Sequence, residues 1–166
     1  MIFFGQISEA TSELKSYEAT LWKYLEKVYS FGPRYSGSEG SEKLQSFLLK
    51  EGERLADSTR MQSFFHRPKN GLPVSMANIE FRFEGKIKGL KPILLGAHYD
   101  TRPFADEEEN PQKAKKPILG ANDGGSGTAL LLGLAQYFSE NRPRKRAPAK
   151  GSSLVGLTFF LGATLE

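Results

Sequence analysis

The sequence predicts an α/β protein built on a central sheet, and three observations predict it. Strand-like and helical stretches alternate along the chain. The short run Ile93–Ala97 is almost wholly apolar, as a strand buried on both faces would be, and it ends in His98-Tyr99-Asp100. The run Gly120-Ala121-Asn122-Asp123-Gly124-Gly125-Ser126-Gly127 leads at once into an apolar helical pattern. Imidazole and carboxylate groups therefore sit at a strand end and a helix start, where open α/β sheets bind ligands.

Length and composition set the frame. A chain of 166 residues is expected to form one domain, large enough for a real core. Its net charge of +4 is mild, and the excess lies in one short loop, so charge alone points to neither nucleic acid nor membrane. With no cysteine, disulfides and thiolate metal sites are excluded. No apolar run reaches the roughly 18 residues of a membrane span. Met1-Ile2-Phe3-Phe4 is too short for a signal-peptide core and follows no basic residue, so the compartment stays open.

The elements follow in order. From about Ser8 to Tyr29, Leu14, Tyr17, Leu21, Tyr24, Leu25 and Val28 recur at helical spacing on one face. Phe31 to Gly40 is a loop punctuated by glycine and proline. Ser38 can open the next helix, whose stripe is Leu44, Phe47, Leu48 and Leu55, with Gly52 weakening it slightly. Thr59–His66 and Met76–Phe83 read as strands. In the second, Ala77, Ile79, Phe81 and Phe83 alternate with polar residues. Gly85–Leu90 is a turn ahead of the Ile93 strand. Ser126–Ser139 is a helix apolar nearly all round, and Leu154–Leu161 is a further strand. The basic stretch Asn141–Gly151 has no interleaved aromatic residues, so a solvated loop and no nucleic-acid partner are expected.

His98 and Asp100 lie two apart, and such residues of an extended backbone project to the same side. An aspartate there can fix the imidazole tautomer and free the other nitrogen for a metal. Asp123 lies among small residues that permit close approach. Taken singly, a satisfied histidine and a helix-capping aspartate account for these residues equally well. Together, at adjoining junctions, they point to a metal. Other motifs carry less. The glycine run lacks the dinucleotide fingerprint, because Leu130 stands where glycine is needed. Ser126 has no nucleophile-elbow context. Asp106–Glu109 lacks the alternation of a calcium loop, and His66 has no acidic neighbour.

The blocks GAHYDTRPFAD and PILGANDGGSGTALLLGLAQYF resemble the core of the M28-type zinc peptidases and the related glutaminyl-peptide cyclotransferases. FGPRYSGSEG resembles the segment preceding that core, so the resemblance runs from about Phe31 to Phe160. The Thr101–Asp106 extension is more similar to the bacterial cyclase-like branch. The resemblance implies a three-layer α/β/α fold with a mixed central sheet, and zinc as cofactor. By the same resemblance Asp123 matches a zinc-binding aspartate, His98 a histidine that binds zinc in the two-metal peptidases, and Asp100 the acidic residue supporting it. Leu161, Ala163 and Thr164 stand where the family carries acidic residues that move protons and bind metal, and Glu166 matches no ligand place. The expectation is a single, C-terminally incomplete domain over residues 1–166. The implied function is conversion of N-terminal glutamine to pyroglutamate with loss of ammonia. The alternatives are a zinc aminopeptidase, or a non-catalytic relative that self-associates through an exposed sheet edge after Leu154–Phe160. The implied partners are peptide or protein N-termini, without a membrane, and members of the family are often exported.

Overall fold

The computed structural model describes residues 17–67, 69, 71–84 and 93–141, together with the backbone of 157–162. In chain order these form α1 (residues 17–29), α2 (Glu39–Leu55), β1 (Ser58–His66), β2 (Val74–Phe83), β3 (Ile93–His98), the short α3 (Pro111–Ala114), a turn over Ala121–Ser126, α4 (Gly127–Glu140) and β4 (Leu157–Gly162). The strands make one mixed sheet in the order β1-β2-β4-β3. β2 pairs antiparallel with both β1 and β4, and β3 runs parallel to β4 with His98 opposite Gly162. The α/β class is as the sequence predicts, and the mixed sheet is as the family resemblance implies.

Local chemistry explains the main elements. Ser38 caps α2 by accepting the Ser41 amide at 3.2 Å, as expected of a serine ahead of an apolar stripe. Period two holds along β2: Ala77, Ile79, Phe81 and Phe83 are all buried, while Arg82 between the last two is exposed. That face of β2 packs with Leu44, Leu48 and Leu55 of α2, Tyr24 and Val28 of α1, and Ala129, Leu131, Leu132 and Ala135 of α4. The described long helices thus share one core on one face of the sheet.

Three expectations change. Gly52 does more than weaken α2. A methyl group there would lie 2.5 Å from Thr59 Oγ1 and 2.6 Å from the Phe81 ring, so its absence lets the helix sit down on β1 and β2. β3 is not buried on both faces: Ile93 and Leu94 are 49% and 64% exposed, and β3 lies at an edge of this sheet. The strand predicted over Leu154–Leu161 is β4, an inner strand between β2 and β3. The last helix begins at Gly127 rather than Ser126. The start of the first predicted helix, the Gly85–Leu90 turn, the basic stretch beyond Asn141 and residues 154–156 lie outside the described residues.

The Gly52 contact yields a test with a definite sign. Helix propensity alone makes Gly52→Ala stabilising by about 1 kcal/mol. Overpacking against Thr59 and Phe81 opposes this by about 1–3 kcal/mol. A lower urea midpoint is expected; a higher one contradicts the close packing of α2 on the sheet.

Candidate functional site

The site forms where β3 ends against the start of α4. Residues 98–100 keep the alternation of the strand that feeds them. Tyr99 turns into the core, fully buried, donating from its hydroxyl to the Ala77 carbonyl at 2.8 Å and accepting from Gln45 at 3.0 Å. Burial pushes the Tyr99 hydroxyl up to about 12. His98 and Asp100 turn the other way, with His98 Nδ1 3.3 Å from Asp100 Oδ1. The Asp100 side chain is buried and that of His98 is about one-third exposed.

The glycine run brings Asp123 to the same place. Ala121–Ser126 is a turn rather than helix: Asp123 has extended backbone and Gly124 a φ of 77°. The Gly125 amide closes it on the Gly120 carbonyl at 3.1 Å. A side chain on Gly124 would lie 2.7 Å from the Asp100 carbonyl and 3.2 Å from the His98 ring, so glycine is required by approach as well as by conformation. Thr128 of α4 donates its hydroxyl to the His98 carbonyl at 3.1 Å. The result sets His98 Nε2 3.0 Å from Asp123 Oδ1. Asp123 is not a helix cap, since Ser126 occupies the position before α4.

The imidazole is therefore held between two carboxylates. Asp100 faces Nδ1 from the buried side, and Asp123, with its side chain 61% exposed, faces Nε2 from the open side. A tetrahedral zinc with bonds of about 2.0–2.1 Å has ligand–ligand edges of roughly 3.3 Å. The Nε2–Oδ1 spacing is close to such an edge, so this pair fits two corners of a zinc site. Asp100 lies behind the ring and adds no third donor at that point. Among the described residues, no three His, Cys, Asp or Glu side chains cluster to hold a metal. Ala163, Thr164 and Glu166 lie outside the described residues, as does the Leu161 side chain.

The remaining candidates are not brought here. His66 is on β1, at the sheet edge opposite β3. Asp106 and Glu107 are exposed and pair with Arg102 at 2.7 and 3.4 Å. The Ser126 hydroxyl donates to the Asn122 carbonyl at 2.6 Å.

Residues 78–150, which include His98, Asp100 and Asp123, match peptidase family M28. Over this segment the chain is similar to the M28 peptidases. The fold of this chain is similar to that of Tannerella forsythia glutaminyl cyclase (28% identity, TM-score 0.73, 86% of this chain and 45% of that one). It is equally similar to that of a Zn-dependent exopeptidase from Parabacteroides distasonis (26% identity, TM-score 0.73, with the same coverage). A curated relative, the vacuolar membrane protease of Schizosaccharomyces pombe, is 29% identical over 136 residues, 75% of this chain and 14% of that protein. The chain thus spans less than half the length of these solved structures and a smaller part of the curated protein.

Arg34 is the residue that the sequence reading passed over. It is fully buried. Its Nε donates to the Tyr99 carbonyl at 3.0 Å, Nη1 to those of Gly32 and Leu119 at 3.1 and 2.8 Å, and Nη2 to that of Gly120 at 2.8 Å. Its own amide donates to Thr101 Oγ1 at 2.9 Å. Burial pulls the guanidinium below its ordinary range, and the charge of Asp100 opposes that shift. One signal was present in the sequence: Arg34 is the only charged residue between Lys27 and Glu39.

The folded value of Tyr99 lies above the ordinary 10.0, so the stability it contributes is complete below pH 10.0 and is lost as pH rises through about 12. Tyr99→Phe is expected to lower stability at neutral pH by about 1 kcal/mol. It is also expected to flatten the loss of stability over that alkaline range and to remove one late-titrating tyrosinate. Ionisation of Tyr99 together with exposed tyrosines contradicts its placement in the core.

Proposed function

We propose that this chain carries part of a zinc site that acts on peptide N-termini. The observation that carries the proposal is the facing pair of His98 Nε2 and Asp123 Oδ1 at the carboxyl end of β3, in an M28-matching segment. Asp123 and His98 would hold the ion. Zinc, when bound, supplies a Lewis acid that polarises a carbonyl.

The chain's own residues have separable tasks. With an ion bound, Asp100 would keep the proton of His98 on Nδ1 and so free the Nε2 lone pair for the ion. Asp123 contributes its exposed carboxylate. The absence of side chains at Gly124 and Gly125 keeps the turn close to the strand end. For glutaminyl cyclisation, the α-nitrogen of an N-terminal glutamine bonds to its own side-chain carbonyl carbon. The carboxamide C–N bond breaks, and ammonia leaves with a proton from the amine. The glutaminyl cyclase structures and the cyclase-like Thr101–Asp106 extension support this reading. A second reading, hydrolysis of the first peptide bond, is supported by the approach of His98 Nε2 to Asp123, which suits histidine as a ligand. The exopeptidase and vacuolar protease relatives support it too.

Zinc affinity, measured by competition with a chelator, is expected to fall roughly 10–100-fold in Asp100→Asn, the range for loss of an outer partner. It should fall further in His98→Ala and Asp123→Ala. For the protein in its full natural length, ammonia release from a glutamine-initiated peptide supports cyclisation, and leucine release from leucine p-nitroanilide supports the peptidase reading. Unchanged zinc affinity in both His98→Ala and Asp123→Ala overturns the proposal.

A further inference from the structure

The two proposed ligands arrive on separate segments. His98 closes β3, and Asp123 sits in the turn ahead of α4. Between them runs a long connection whose middle, residues 102–119, is exposed or half-buried and contains only a four-residue helix. That loop is poorly suited to set a separation of 3.0 Å between two side chains. Arg34 comes from a third segment and touches both. Its Nε bonds the carbonyl of Tyr99, the residue between His98 and Asp100. Its Nη1 and Nη2 bond the carbonyls of Leu119 and Gly120, which lead into the Asp123 turn. The Gly120 carbonyl accepts from Gly125 as well, so Arg34 shares an acceptor with the hydrogen bond that closes the turn.

We infer that Arg34 is the positioning residue for the metal pair, holding the β3 end and the Asp123 turn at the separation that lets His98 and Asp123 share one ion. The inference rests on the zinc reading for its functional consequence, but not for its geometry. Three features favour it over general core packing. Every partner of Arg34 is a backbone carbonyl or the Thr101 hydroxyl, so the residue reads chain position rather than side-chain identity. The planar guanidinium reaches several acceptors at fixed angles, which a lysine ammonium does not. The Leu119 and Gly120 carbonyls are adjacent in the chain, so one face of the fork fixes the direction in which the turn leaves.

Arg34→Lys separates charge from geometry. It keeps a cation near Asp100 but loses the fork. Zinc affinity is expected to fall roughly tenfold or more, as for outer partners of metal ligands. In metal-free protein, hydrogen exchange of the Gly125 amide is expected to quicken roughly tenfold, while the amides of β2 and mid-α4 stay within a factor of about two of wild type. A general structural role would instead raise exchange across all of them. If Arg34→Lys does not fold, Thr101→Val removes only the acceptor of the Arg34 amide. The same two readouts should then shift in the same directions by less. If the wild-type chain binds no zinc and Gly125 exchange still responds selectively, the zinc reading fails and the positioning geometry stands. If Gly125 exchange is unchanged, or rises only together with all other amides, Arg34 does not position the turn.

Discussion

The turn over residues 120–127 has to press against the end of β3, and much of the structure around it serves that contact. The demand is steric before it is chemical. A methyl group on Gly124 would strike the Asp100 carbonyl, and one on Gly127 would come within 3.1 Å of the Ala97 side chain. Gly124 also needs a backbone conformation that residues with side chains rarely adopt. Once the turn is seated, Thr128 bonds the His98 carbonyl, Tyr99 points down to Ala77, and His98 points up to Asp123. The buried anchor and the exposed donor thus follow from one strand alternation.

A buried arginine at this junction is an expensive choice. Leaving a buried carbonyl without a donor costs about 1–3 kcal/mol, and Arg34 serves four carbonyls. An apolar side chain of similar size would fill the space but take the arginine donors away from the Tyr99, Gly32 and Leu119 carbonyls and leave Gly120 with only the Gly125 amide. The arrangement joins the loop ahead of α2, the strand end and the Asp123 turn into one hydrogen-bonded unit. It explains why a Gly-Pro-Arg segment distant in sequence belongs with the His98 and Asp123 motifs.

Legibility in the sequence tracked the range of the interaction. β2 could be read because its inward face is wholly apolar and its outward face polar, a contrast local to ten residues. The pairing of His98 with Asp100 could be read because strand geometry carries residues two apart to one side. Other features depend on partners far along the chain. Gly52 looked like a flaw in a helix because its partners, Thr59 and Phe81, lie on two different strands. Ile93–Ala97 looked doubly buried because an apolar strand does not announce that it will lie at a sheet edge. Arg34 escaped because its acceptors are backbone carbonyls, which leave no trace in residue type. The meeting of His98 with Asp123 was expected from their places at adjoining junctions and from motif resemblance, whereas the spacing between them emerges only from the fold.

The central claim is that His98 and Asp123 bind one zinc ion together. X-ray absorption spectroscopy of the zinc-loaded protein tests it most directly. The account predicts a first shell of nitrogen and oxygen at about 2.0–2.1 Å, with the outer-shell scattering of a histidine ring. His98→Ala should remove the ring scattering, and Asp123→Ala should remove an oxygen from the first shell. A bound zinc whose spectrum shows no imidazole, or is the same in both variants, would contradict it.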